Sequence, residues 1–310
     1  MLMAPVVTPF VGVNYKSVNA GALKKHGFEV EFNWTDKTSS GFTYNVGGMF
    51  GLSENRITQY GDAPYAPEYQ KYVNTPLESA RTGNTLVDDK FFGSIDEIHG
   101  YPIYASEWTN VTPGGYKFLD YVPDGSISQQ DLHVLKGSTY APGIYSFNFG
   151  CSCKGLSFKV LCTGTVGKYI NYRRASIIPF YGGDAIVHTS HLNYWTPTNR
   201  DADVPALSLS DEMYSWGGGT AASPGYNLAI PDITWKRSDY FSVKEVMLSY
   251  KFSGPGIKRV LGVKHLAVGL TCNNLYTFTN LIDVDPQRMT TATCYYPTMR
   301  VLKLNVNLAF

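Results

Sequence analysis

Val301–Phe310 reads VLKLNVNLAF, and its alternation is unbroken: Leu302, Leu304, Val306, Leu308 and Phe310 face one way, Lys303, Asn305, Asn307 and Ala309 the other. Side chains that change sides at every residue mark an extended strand, because a helix groups its apolar residues three and four apart. Working back from this end, the same period recurs six times. His265–Asn273 places Leu266, Val268, Leu270 and Cys272 together, and Phe241–Phe252 sets Val246, Leu248, Tyr250 and Phe252 against Glu245, Met247, Ser249 and Lys251. Leu156–Val166 carries Phe158, Val160 and Cys162; Ile144–Cys153 carries Tyr145, Phe147, Phe149 and Cys151. Phe42–Leu52 aligns Phe42, Tyr44, Val46, Phe50 and Leu52, while Gly27–Trp34 opposes Phe28, Val30, Phe32 and Trp34 to Glu29, Glu31 and Asn33. Seven strands are expected, with Tyr101–Trp108 and Tyr116–Tyr121 as two further candidates. The fold class is all-β and antiparallel.

Composition narrows what such a sheet does. The 310 residues hold 26 basic and 25 acidic side chains, a net charge of +1 that excludes the basic face of a nucleic-acid binder. Charged residues make up 16%, against roughly 25% in an ordinary soluble domain. Aromatics reach 14%, with 23 Tyr, and there are 30 Gly. No run approaches the ~18 apolar residues of a membrane-crossing helix. The opening MLMAPVVTPFVGV has no basic flank and no small-residue cleavage site, so it reads as a poor signal peptide: either the chain is cytosolic or it starts inside a longer protein. The five cysteines lack zinc spacing and are expected to be small apolar fillers.

Two architectures share this alternation, a soluble sandwich and a membrane barrel. Three features favour a transmembrane barrel segment. The strands run nearer the ~9–11 residues of a tilted membrane strand than the ~5–6 of a globular one. Connections alternate in length: Asp36–Gly41 and Lys154–Gly155 are short, whereas Ser53–Gly143 and Gly167–Asp239 are long, as in barrels with tight periplasmic turns and long extracellular loops. Glu29, Glu31, Glu245, Lys251 and Lys303 all fall on the polar side of their strands, where a wet lumen would take them. A lipid-facing Lys or Arg at mid-depth costs about 2–4 kcal/mol. The alternative is a secreted β-sandwich that binds carbohydrate through exposed aromatics.

Several stretches resemble, in order along the chain, the C-terminal part of SusC/RagA-type TonB-dependent outer-membrane transporters of Bacteroidetes. They are NAGALKKHGFEVEFNW (Asn19–Trp34), YSFNFGCSCKGLSFKVLCTG (Tyr145–Gly164), HLNYWTPTNRDADVPALSL (His191–Leu209), SDYFSVKEVMLSYKF (Ser238–Phe252), NNLYTFTNLIDVDP (Asn273–Pro286) and the terminal NVNLAF. Ala206 stands where that family usually has Arg, and Cys153 where its hairpin has Tyr. The resemblance implies that residues 1–310 form about seven to nine strands of a plugged barrel of about 22 strands in the outer membrane of a Gram-negative bacterium. It implies import of glycan or peptide oligomers, a SusD-like surface lipoprotein as lid, and energy from TonB–ExbB–ExbD through a part not in this chain. The plug and the earlier strands are not in this chain either. An open sheet edge cannot span hydrocarbon, so the chain is expected not to transport alone.

No catalytic set is evident, and the chain is read as a non-enzyme. Gly150-Cys-Ser-Cys-Lys154 lacks the second glycine and the strand-to-helix turn of a nucleophile elbow. His188 and His191 lack a third ligand for a metal. Asp120–Asp131 (DYVPDGSISQQD) carries Asp120, Asp124 and Asp131 at positions 1, 5 and 12 of a calcium-loop pattern. Val122 removes a ligand and Asp131 is shorter than the usual Glu. Ca²⁺ held by these three residues and a metal-free turn at Asp124-Gly125 are the two readings. Tyr194, Trp195, Tyr214, Trp216 and Trp235 are the candidate ligand contacts, because amphipathic rings stack on sugars and peptide side chains. Their other reading is packing of the loops against one another.

Overall fold

The computed structural model describes residues 2–3, 18–19, 21–62, 65–77, 84–85, 87–104, 111–134, 137–171, 187, 189–207, 235–282, 284–287, 296 and 298–309. Seven strands form one sheet: β1 (Ala22–Lys37), β2 (Thr43–Gln59), β3 (Gly143–Cys153), β4 (Leu156–Val166), β5 (Tyr240–Ser253), β6 (His265–Thr279) and β7 (Val301–Ala309). Each pairs antiparallel with its chain neighbours, so spatial order equals sequence order. The seven expected strands are all present, and β1, β2 and β6 run several residues further than their alternation predicts. Among the described residues the two extra candidates are not wall strands, and 105–108 of the first lie outside them. Ile103–Tyr104 and Tyr116–Phe118 are short pairs inside a long loop, where they join Ser126–Ile127 and Val87–Phe91.

Register carries the pattern across the whole sheet. One row runs Trp34, Val46, Phe149, Val160, Val246, Cys272, Leu302, with an apolar residue on every strand. The next row, on the opposite face, runs Thr35, Asn45, Gly150, Lys159, Met247, Thr271, Lys303. Asn45 Nδ2 donates to Asn148 Oδ1 at 3.3 Å and Asn305 Nδ2 to Thr271 Oγ1 at 2.9 Å, so this second face ties itself together with polar side chains. A slip of one residue would exchange the two faces entirely.

The apolar face lies open. Trp34, Leu302, Leu304 and Val306 are 62%, 77%, 68% and 59% exposed. Among the described residues no second sheet covers them, which sets the sandwich reading aside. Most of the buried apolar side chains lie instead in the connections between the strands, with Ile57 and Cys162 the buried apolar residues on the seven strands among those described.

Two local features make the sheet possible. Lys154 and Gly155 both have positive φ (46° and 90°), the geometry of the two-residue turn that matches strand twist. At Lys244 the register shifts against both neighbours. Phe241 and Val243 precede this bulge in odd register; Val246, Leu248, Tyr250 and Phe252 follow it in even register. The extra residue keeps both sets on one face, with Val243 opposite Cys162 and Val246 opposite Val160.

All long connections (60–142, 167–239 and 280–300) leave from one rim of the sheet, and all short ones from the other. The short rim carries the turn 38–42, Lys154-Gly155, and a segment holding α2 (Pro255–Leu261); α1 (Ile95–His99) lies in the first long loop. No helix among the described residues is long and apolar enough to cross a membrane.

Candidate functional site

The long-loop rim is where polar and aromatic side chains converge. Loop 60–142 and loop 189–207 share a core of Phe91, Tyr116, Phe118, Ile127, Trp195 and Ala202, all under 9% exposed, with Tyr101 and Ala206 against it. A backbone bond stitches the two together, from Ala206 N to Gly114 O at 3.0 Å, while Gly114 N donates to Phe92 O at 2.8 Å within the first loop. Lys90 Nζ donates to Ala202 O at 3.3 Å and lies within 4 Å of Asp201 and Asp203.

α1 begins with a capping arrangement. Ser94 Oγ accepts from Glu97 N, while Glu97 Oε2 reaches back to accept from Gly93 N at 2.6 Å. Glu97 Oε1 also accepts from Lys117 Nζ at 3.0 Å. The backbone amide, followed by Lys117, holds the Glu97 carboxyl below the usual carboxylate range, against an opposing effect of burial. Burial is the largest influence on Lys117 and pulls its ammonium down, but Glu97, Asp88 and Asp89 together outweigh it and raise it.

The other long loops meet at Lys168. It is 7% exposed, and its Nζ donates to Pro286 O at 3.2 Å. Burial pulls its ammonium below the ordinary lysine range, with Asp285 opposing. Ser238 Oγ donates to the same carbonyl at 3.4 Å, and Asp239 Oδ1 accepts from Gly167 N.

Between these loops and the end of β2 lies a cleft of about 620 Å³, lined among others by Ser53, Asn55, Arg56, Tyr140, Tyr169 and Trp235. It shares Ser53, Ala141 and Pro142 with a second hollow of about 570 Å³, which runs along the polar face of the sheet past Gly27, Glu29 and Gly51. Arg56 is turned away from the cleft's needs: its Nη1 donates to Asn74 O at 3.0 Å, and its Nη2 lies 3.7 Å from Glu54.

The five aromatic candidates divide. Trp235 lines the cleft. Trp195 is 6% exposed within the loop core, so burial makes it a packing residue and removes it from ligand contact. Tyr194 is half-buried, and its carbonyl accepts from Asn199 Nδ2 at 3.0 Å. Tyr214 and Trp216 lie outside the described residues, as does His188; His191 is buried. Tyr140 and Tyr169 enter the cleft without having been singled out by sequence. Their only signal is position, as aromatics within a few residues of strand ends.

The acidic loop Asp120–Asp131 is held by its own carboxylates. Asp131, 1% exposed, accepts from Val122 N at 2.9 Å and Ser128 N at 2.7 Å; Asp120 accepts from Gly125 N, and Asp124 from Ser126 N. Backbone N–H groups thus converge on Asp131, where a cation would require oxygens. Asp120 Oδ1 is buried without a hydrogen-bond partner, but among the described residues no three His, Cys, Asp or Glu side chains group as ion ligands. The residues do not fit a calcium ion in this arrangement.

An antiparallel wall with one apolar face open, one polar face, and long loops gathered at a single rim defines a segment of a transmembrane β-barrel. Over 97% of its length the chain is 21% identical to the TonB-dependent receptor P3 of Formosa agariphila, and covers 30% of that protein. Its fold resembles that of the RagAB peptide transporter, with a TM-score of 0.63 and 19% identity over the whole chain and 32% of the neighbour. The RagAB peptide importer in its open-open state gives 0.61 and 18%, covering 31% of that chain. No family model matches. The resemblance to TonB-dependent receptors noted in the sequence is borne out, and the chain spans about a third of the length of these relatives.

Proposed function

We propose that this chain builds part of the barrel wall and the outer rim of a TonB-dependent nutrient importer in a Gram-negative outer membrane. Its long loops face the cell exterior and its polar face borders the lumen. The observation that carries this reading is the uninterrupted apolar row from Trp34 to Leu302, one residue on each of the seven strands, exposed at Trp34 and Leu302 and half-buried between them. The likeness to TonB-dependent receptor P3 and to RagAB supports it. The cargo is an oligosaccharide or an oligopeptide, admitted past the cleft of Tyr140, Tyr169 and Trp235. A surface lipoprotein closes the loop rim, and TonB–ExbB–ExbD drives the cycle through a plug outside this chain. No step is catalytic.

Fractionation and binding test this together. In a whole receptor containing this segment, Trp235→Ala with Tyr169→Ala is expected to weaken cargo binding about 5- to 150-fold, from roughly 0.5–1.5 kcal/mol per stacking ring. A panel of oligosaccharides and oligopeptides then names the cargo class. The isolated chain, placed in liposomes, is expected to give no specific uptake because its sheet edges are unpaired. Detergent-free solubility as a monomer would overturn the wall reading.

A further inference from the structure

We propose that the short-turn rim is a binding collar for anionic phospholipid headgroups, centred on α2. The inference rests on reading the sheet as a membrane wall and adds to it a specific lipid chemistry. Charge in this chain is unevenly placed. Loop 60–142 holds eleven acidic residues against five basic ones. The short-turn rim reverses this, carrying Lys37 at the end of β1 and Lys154, Lys258, Arg259 and Lys264 in the connections, against Asp36 alone. All five cations are exposed, and among the described residues none of them has an ion-pair partner.

Position supplies the second argument. The lowest apolar row of the wall includes Phe252, Leu266 and Leu308 in register, with the Tyr250 and Phe252 rings 4.6 Å apart at its edge. The segment 254–264 follows directly, anchored by Lys264 N donating to Ala309 O at 2.6 Å. Within it, Val260 and Leu261 are 80% and 50% exposed beside Lys258 and Arg259. Exposed apolar side chains that follow within ten residues of a lipid-facing row, beside unpaired cations, suit the boundary where acyl chains meet phosphate. Each Lys or Arg near an anionic surface raises lipid affinity about fivefold, an effect screened by salt. Neutral headgroups offer these cations no such gain.

The test uses the full chain in detergent, mixed with equal phosphatidylglycerol and phosphatidylcholine, with retained lipid counted by native mass spectrometry. Phosphatidylglycerol is expected to be retained about tenfold or more over phosphatidylcholine, and the preference is expected to shrink as salt rises. K258E/R259E/K264E is expected to abolish it, and K71E, in a long loop, to leave it unchanged. Equal retention of the two lipids, or an unaltered preference in the triple variant, overturns the collar. Quenching of Trp34 by a brominated detergent, read as the difference from Trp34→Phe, reports the wall separately. Quenching without lipid preference overturns the collar alone, whereas absence of quenching overturns the wall.

Discussion

The ring of Trp195 lies over the backbone of Gly114, so close that a Cβ built on the glycine would stand 2.5 Å from Trp195 Cε3 and 2.5 Å from Ala206 Cβ. Gly114 also has φ of +86°, a left-handed backbone that any side chain strains. Two loops distant in sequence meet at this contact.

Gly114→Ala is therefore expected to destabilise the loop unit by about 1–3 kcal/mol through crowding, with ~1 kcal/mol more from backbone strain. Trp195→Ala leaves a cavity instead, worth about 3–5 kcal/mol. Limited proteolysis within 111–134 and 189–207 should accelerate in both variants while the wall strands stay protected. Unchanged cleavage would mean that the loops do not depend on this core.

The Glu97 carboxyl gives the same unit an acid limit. Its folded-state affinity for protons is lowered, first by the Gly93 amide and then by Lys117. Its stabilisation is thus complete above the ordinary carboxylate range and lost as pH falls through the depressed folded value. Near-UV circular dichroism should show the loop aromatics loosening on acidification, and Glu97→Gln should be weaker at neutral pH with a flatter acid profile. An unchanged profile in that variant would remove Glu97 as the cause.

The two faces of the wall predict opposite responses to one added charge. Leu304→Lys places an ammonium in hydrocarbon and is expected to cost about 2–4 kcal/mol of folding into detergent or lipid. Asn307→Lys, three residues on and on the polar face, is expected to stay within about 0.5 kcal/mol. Urea unfolding in micelles distinguishes them, and equal effects would contradict the assignment of faces.

For the acidic loop, calcium titration in a calorimeter is expected to give no heat at millimolar ion. Asp131→Ala should instead destabilise the loop without added metal, by roughly 1.5–3 kcal/mol for each charge-assisted hydrogen bond it removes. Saturable heat that Asp131→Ala eliminates would restore the cation reading.

The wall was legible in the sequence because period-two alternation is a local signal, and each strand states its own faces. Side-chain burial in the loops was not. Trp195 and Trp235 look alike in sequence, both aromatics in long loops, yet one closes a core and the other lines a cleft. Only contacts between loops about a hundred residues apart separate them. Tyr101–Trp108 and Tyr116–Tyr121 misled for a related reason: aromatic richness marks a packed loop as readily as a strand. The bulge did leave a trace. Apolar residues fall on odd numbers at Phe241 and Val243 and on even numbers from Val246, a parity break that one extra residue must absorb.

Lys244 is that residue, and its ammonium is bound by the side chains of Gln287 and Asn274. The frame of β5 is thereby indexed to the loop that follows β6. A deletion at this position would do more than shorten a strand: it would turn Phe241 and Val243 toward the pore and send Ser242 into the bilayer, inverting the upper third of the stave while leaving the lower two thirds correct.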